Sequence, residues 1–309
     1  MSEIDVRKMS EEEIVNYLST TKDPYLMEIC PKTNRICAAG VMNNGMSLAY
    51  VPYNMRTEDI CKMAISNDPD AIQYVPEENL TTEIMALAVS LEPMALRFLR
   101  REKQKRIVGT IISAVKSNPE ALMFVKEVYP DNYFTICMEA LGVDGSVLKY
   151  VDFDRLDYDQ KNLMLVTAVV SYPKAIAYIP DEEKYRHLFK TAVKLDGLTF
   201  GMMDPDKYKD LAHDACMNDG HALDYVHDDD LYDELSSEVA YHDPEAILSC
   251  KMTHANLLAA VGKDGLILKN IDPKYITEAI AKRAYLQNPN VRQILEEKGK
   301  AYLLDKSEE

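Results

Sequence analysis

Residues Asn67–Pro76 read NDPDAIQYVP, and the same phrase returns, with drift, along most of the chain. It is a helix start and stop in compressed form. Asp68 can accept hydrogen bonds from the free N–H groups of the turn that follows it, as an N-cap does. Pro69 suits the first helical position, where a missing N–H removes no bond. Ala71, Ile72, Tyr74 and Val75 set apolar side chains at the spacings of one helix face. Pro76 ends the element, because it lacks a donor and restricts the residue before it. The phrase predicts a helix of about two turns with both ends specified.

The Pro or Gly that opens the short helix serves as a register mark. It falls at Pro24, Gly45, Pro69, Pro93, Pro119, Gly145, Pro173, Gly197, Gly220, Pro244, Gly265 and Pro289, in steps of 21 to 28 residues. The residue before the mark is Asp or Asn in ten of the twelve repeats, with Glu92 and Tyr172 the exceptions. That preference is what capping chemistry predicts. Three residues beyond the mark stands an apolar residue such as Leu48, Ile72, Leu122 or Ile247, and Arg292 breaks the pattern in the last repeat. Five residues beyond it an aromatic is favoured: Tyr50, Tyr74, Phe98, Phe124, Tyr150, Tyr178 and Tyr225. A ladder of this kind reads as a stacked core seam.

Upstream of each mark lies a second helical segment. Five residues before the mark it carries a small residue: Ala64, Ala88, Ala114, Ala140, Ala168, Ala192, Ala215, Ala260 and Ala284. About one turn earlier stands a larger apolar residue, such as Ile60, Ile136 or Leu188. The small residue lets the two helices of a hairpin approach closely. No such hairpin buries its apolar face alone, so stacking on neighbours must build the core. The fold class expected is all-α, an α-solenoid of about twelve short helix-turn-helix repeats of 21–28 residues. Residues 1–18 read as an acidic N-terminal capping helix, 19–273 as the solenoid, and 274–309 as a degenerate C-terminal repeat and cap.

The pattern A-[VI]-x-x-[DN]-[PG]-x-A-[LI]-x-[YF]-V-P resembles the repeats of the domain of unknown function 4116. The resemblance covers about residues 20–295 and is strongest at 56–76 and 161–180. It implies a helical repeat protein of bacterial, phage or large-DNA-virus type, and it brings no catalytic residues with it.

Composition narrows the function. The chain has 309 residues, 47% of them hydrophobic, enough for a large core. No apolar run reaches the ~18 residues of a membrane span, and the opening MSEIDVRKMSEEEIV has no signal-peptide core. The expected location is cytoplasmic. Six cysteines fall at apolar repeat positions: Cys37, Cys61 and Cys137 share one position of the longer helix, and Cys30 and Cys250 share one after the short helix. They read as buried thiols in a reducing compartment rather than disulfide partners. A net charge of −16 argues against direct nucleic-acid binding.

Three stretches invite chemistry. DFDRLDYD, residues 152–159, looks like the entry of an aspartate-nucleophile phosphatase, but the repeat places the preceding SVLKYV in a helix, and Leu156 and Asp157 spoil an EF-hand. It reads as a solvated inter-repeat loop. Residues 204–245 hold 14 Asp or Glu against two Lys, a net of −12, together with His213, His221, His227 and His242. A divalent metal or enzymatic site assembled from this His/Asp-rich region is one reading. An acidic face that docks a basic partner is the favoured one, with Asp214, Asp224, Asp228, Asp229, Asp230, Asp233 and Glu234 as contact residues. The basic cluster Arg97, Arg100, Arg101, Lys103, Lys105 and Arg106 could meet a phosphate or an acidic surface, but the favoured reading is an exposed inter-repeat loop or partners for neighbouring acids. No Walker loop, GxGxxG, GxSxG or Cys–His nucleophile pattern appears.

The function expected is non-enzymatic: an interaction solenoid that grips a protein with a basic surface through an extended acidic face, needing no cofactor. A phage-type acidic decoy, inhibiting a nucleic-acid-binding host protein by mimicking phosphate charge, is the alternative. The metal or enzymatic site at 204–245 is the second alternative.

Overall fold

One residue joins the two helices of each repeat. Asp68 has φ −143° and ψ 105°, and it closes one helix while opening the next. Its N–H donates to Ala64 O at 2.8 Å, the last bond of the longer helix, and its carbonyl accepts from Ala71 N–H at 3.0 Å. Its side chain accepts from Asp70 N–H at 3.1 Å. The same joint, with backbone angles near these, recurs at Asn44, Asp144, Asp196, Asp219 and Asp264. Glu92 caps in the same way despite its longer side chain.

The computed structural model describes residues 6–21, 23–125, 128, 130–180 and 182–305. Among them the protein is all-α, an array of helical repeats with no strand. The α-helices are α1 (Glu11–Thr20), α2 (Leu26–Ile29), α3 (Asn34–Asn43), α4 (Glu58–Asn67), α5 (Thr82–Leu91), α6 (Arg101–Gln104), α7 (Val108–Ser117), α8 (Pro130–Val143) and α9 (Tyr158–Ser171). They continue with α10 (Arg186–Leu195), α11 (Ala212–Asn218), α12 (Asp229–His242), α13 (His254–Lys263), α14 (Glu278–Gln287) and α15 (Val291–Glu297). The short helix that follows the mark is a 3₁₀-helix of six residues wherever it forms, from Gly45–Tyr50 to Gly265–Asn270. At three residues per turn, six residues make about two turns. The first and last marks differ: Pro24 leads through a turn into α2, and Pro289 through a turn into α15.

The chain divides into two compact units, Met1–Ser171 and Tyr172–Glu309. Within the first, α1 packs on α3, and α3, α4, α5, α7, α8 and α9 pack in succession. Its 3₁₀-helices stack beside one another as a second layer. The second unit repeats the plan, with α10 on α11, α11 on α12, α12 on α13 and α13 on α14. The first five residues of the expected 1–18 cap, and the last four of the expected 274–309 segment, lie outside the described residues.

The core is the repeat pattern folded inward. Ala64, Ile65, Ala71 and Ile72, and their equivalents in other repeats, are buried. All six cysteines are buried and unpaired. The aromatic ladder departs from a core seam, since Tyr50, Tyr74, Phe98, Phe124 and Tyr150 are half-buried and Tyr178 and Tyr225 are exposed. Five positions past the mark a side chain leaves the 3₁₀-helix at its outer end, beside the connector rather than between layers. Of the rings in the ladder, Tyr50 meets Tyr25, with centroids 5.6 Å apart.

Glycine marks are tied to the next repeat in a way that proline marks cannot be. A Cβ on Gly45 would overlap the carbonyl oxygen of Ala64, and one on Gly145 that of Ala168. Glycine also keeps an N–H. Gly45 N–H donates to Asn67 Oδ1 at 2.7 Å, and Asn67 Nδ2 donates to Met42 O at 3.0 Å. Asn218 clamps Gly197 and Lys194 O, and Gln287 clamps Gly265 and Lys263 O, by the same pair of bonds.

Candidate protein-interaction surface

The acidic stretch lies in the second unit, on α11, α12 and the connectors around them. Many of its carboxylates have structural duties that arise from local sequence. Asp228 is the N-cap of α12, accepting from Leu231 N–H at 2.9 Å. Asp219 caps the 3₁₀-helix at Gly220 through His221 N–H, 3.0 Å away. Asp243 Oδ2 accepts from Gly220 N–H at 3.1 Å.

Other carboxylates are neutralised by bases from adjacent repeats. Arg186 pairs with Asp210. Lys194 stands 4.0 Å from Asp214, and Lys209 2.6 Å from Asp228. Lys251 pairs with Asp233, and His213 Nε2 lies 3.0 Å from Glu238. Hydrogen bonds from Lys209 and then from Leu231 N–H hold the Asp228 carboxyl below its ordinary value. These pairs form a staircase between neighbouring helices. Arg186, Lys194 and Lys251 flank the acidic window in sequence, and their one-repeat separation from the acids is the signal that would have found them.

Of the seven expected contact residues, Asp214, Asp228 and Asp233 are therefore engaged. Asp224, Asp229, Asp230 and Glu234 are exposed and, among the described residues, have no ion pair, though the charge of Asp229 reaches Lys251. Asp229 and Asp230 occupy the first turn of α12, where the helix dipole favours negative charge. Asp224 sits beside the same helix. The Tyr232 phenol is held above its ordinary value by burial first, then by Cys250, Asp224 and Asp233. Three of these four carboxylates lie in the first two turns of α12 and the fourth on the 3₁₀-helix before it.

The histidines take separate partners. His213 faces Glu238, His221 Nδ1 lies 3.1 Å from Asp219, and His242 meets the edge of Tyr241. Among the described residues the one grouping with metal-ligand reach is Asp219, His221 and Asp243. Two of its three members already serve the backbone of the Gly220 joint. His227 lines a void of about 10 Å³ with Phe200, Pro205 and Leu231, room for one water.

The other two stretches carry structural contacts. In DFDRLDYD, Asp152 caps the 3₁₀ turn Phe153–Arg155, and Asp157 forms a capping box with Gln160 at the start of α9. Leu156 is buried, and Arg155 stacks on Tyr133 at 3.9 Å while donating to Val128 O. The segment is the solvated connector expected of it, with five of its eight residues exposed, and its aspartates serve as helix caps. In the basic cluster, Arg97 pairs with Asp70, and Lys103 pairs with Glu77 at 2.7 Å.

Residues 36–80 match the model of a family described as a domain of unknown function (DUF4116). The matched segment holds α3, α4 and the 3₁₀-helices that follow them, two consecutive repeats. No curated protein and no solved structure matches the chain.

Proposed function

We propose that this protein is a non-enzymatic interaction module that docks a basic partner protein on the acidic face of its second unit. One observation carries the reading: Asp224, Asp229, Asp230 and Glu234 are exposed on and beside α12 and, among the described residues, form no ion pair, although Lys209, Lys251 and Lys194 pair with their neighbours. Exposed like charges held together repel one another, and a basic surface that covers them relieves the repulsion. A stack of repeats suits such docking because each repeat presents the same loop positions along one edge. The void beneath the patch is too small for a substrate. A cytoplasmic setting fits the six unpaired thiols, and no helix among the described residues is long and apolar enough to cross a membrane.

The test is affinity capture from a bacterial lysate with the wild-type chain and with a variant carrying Asp224, Asp229 and Asp230 as Asn and Glu234 as Gln. Asp228 and Asp233 stay, because they hold the fold together. A basic protein retained by the wild type, released by moderate salt and lost by the variant supports docking. If it is a nucleic-acid enzyme that the chain inhibits in competition with DNA, docking takes the form of a phage-type decoy. The same partner held equally by both proteins sinks the acidic-face reading.

A further inference from the structure

The connector edge of the first unit holds a cavity of about 410 Å³, lined among others by Tyr53, Arg56, Tyr74, Leu80, Phe98 and Arg100 from three successive repeats. Its volume lies within the ~300–1,000 Å³ of ligand sites. Arg56 is fixed in the wall: Nε donates to Val51 O at 2.8 Å, Nη1 to Tyr74 O at 2.8 Å and Nη2 to Ala49 O at 3.1 Å. Those bonds use three of the five N–H groups of a guanidinium, and among the described residues no carboxylate forms an ion pair with it. Arg100, across the groove, is exposed, and its charge, after the Lys103 hydrogen bond, helps hold the Glu77 carboxyl below its ordinary value. The nearby acid Glu77 belongs to Lys103, and Glu78 accepts the Tyr53 hydroxyl proton at 2.6 Å, which holds that ring in place.

The lining of the groove sets two guanidinium groups against one carboxylate, Glu77, which Lys103 already bonds, a local surplus of positive charge in a chain with 51 acids against 35 bases. Their neighbours Arg97 and Lys103 both have carboxylates. The rings of Tyr53, Tyr74 and Phe98 add apolar walls between the charges. We infer that this groove binds an acidic peptide segment of a partner protein, with an Asp or Glu carboxylate held by Arg56 and Arg100 and a neighbouring apolar side chain against Tyr74 and Phe98. Guanidinium groups suit a carboxylate because their N–H groups match its two oxygens. A single strand of nucleic acid would use the same groups, but it needs a longer basic track, and Glu77, Glu78 and the net charge of −16 oppose a polyanion. This site lies in the other unit from the acidic patch and has the opposite charge preference, so the two proposals stand or fall separately.

The probe is an array of immobilised decapeptides with one central Glu or Asp among randomised neutral residues, their Gln or Asn counterparts, and oligothymidylate spots, exposed to the full chain. Acidic peptides should be retained and their neutral counterparts not. R100Q should weaken the best acidic peptide at least about tenfold, as loss of one partner of a hydrogen-bonded charge pair does. Y53A should weaken it as well. Both positions are exposed, so the circular dichroism and melting of these variants should match the wild type, whereas R56Q would strip three backbone carbonyls and is not relied on. Neutralising the α12 patch should leave peptide binding unchanged. Equal retention of neutral and acidic peptides, wild-type binding by R100Q, or retention of oligothymidylate alone would overturn the inference.

Discussion

Gly45 and Asn67 show how much a single position decides in this fold. Gly45 lies against the Ala64 carbonyl of the next repeat, and its N–H is answered by Asn67. Gly45→Ala therefore pushes a methyl into backbone, and overpacking of this kind destabilises by about 1–3 kcal/mol. Asn67→Ala removes the partner of the part-buried Gly45 N–H and of the exposed Met42 carbonyl, at about 0.5–1.5 kcal/mol. Urea unfolding midpoints of the two variants check both values, and an unchanged midpoint for Gly45→Ala would mean the repeats stand further apart than described. A second local case is Asn256, buried where other repeats place Ile or Leu. It donates to Ser236 Oγ at 3.2 Å and to Lys251 O at 2.9 Å, and Ser236 in turn accepts from Lys251 N–H at 2.6 Å. Two polar residues in neighbouring repeats satisfy each other, which neither repeat would tolerate alone.

At the scale of the element, the feature that matters is the abrupt change from α-helix to 3₁₀-helix across one residue. Asp264 is such a joint, with Leu266 N–H donating to its Oδ1 at 2.9 Å. Asp264→Ala should destabilise by about 1 kcal/mol through loss of the cap, and Asp264→Asn should retain most of the stability. Thermal melts of the pair read this directly; equal losses would show that charge, not the cap hydrogen bond, is what Asp264 supplies. Most of these joints were legible, because Asp or Asn before Pro or Gly is a local signal. The 3₁₀ geometry was not, since over six residues a period of 3.0 and one of 3.6 place apolar side chains almost alike. The ion-pair staircase was hidden for a different reason: Lys209 and Asp228, or Asp233 and Lys251, meet only when successive helices stack.

For the whole molecule, the buried thiols couple stability to pH. Burial pushes Cys61 and Cys250 up to about 11, and Cys137 and Cys216 up to about 12, from a reference of 9.0. Between the reference and the folded values, the native state holds protons that the unfolded chain releases. Their contribution is complete below pH 9 and is lost as pH rises toward 11 or 12. Each such thiol lowers stability by about 1.4 kcal/mol per pH unit in that window. Denaturant midpoints should fall from pH 8 to pH 10, and more gently when Cys61 and Cys137 are replaced by Ala. An identical pH slope in that variant would show that the thiols are not the titrating groups.

The sequence by itself determined the repeat, its register, most of its caps and its aliphatic core positions, because capping and helix periodicity act within about one turn of chain. It marked the acidic stretch but not which of its carboxylates form ion pairs, for the bases that pair with Asp210, Asp214 and Asp233 come from neighbouring repeats. Only the tertiary structure set Arg56 and Arg100 in one groove and the aromatic ladder at the connector edge. Those placements follow from how far each repeat moves past the last, a distance that depends on groups meeting across the stack, such as the Ala64 carbonyl against Gly45.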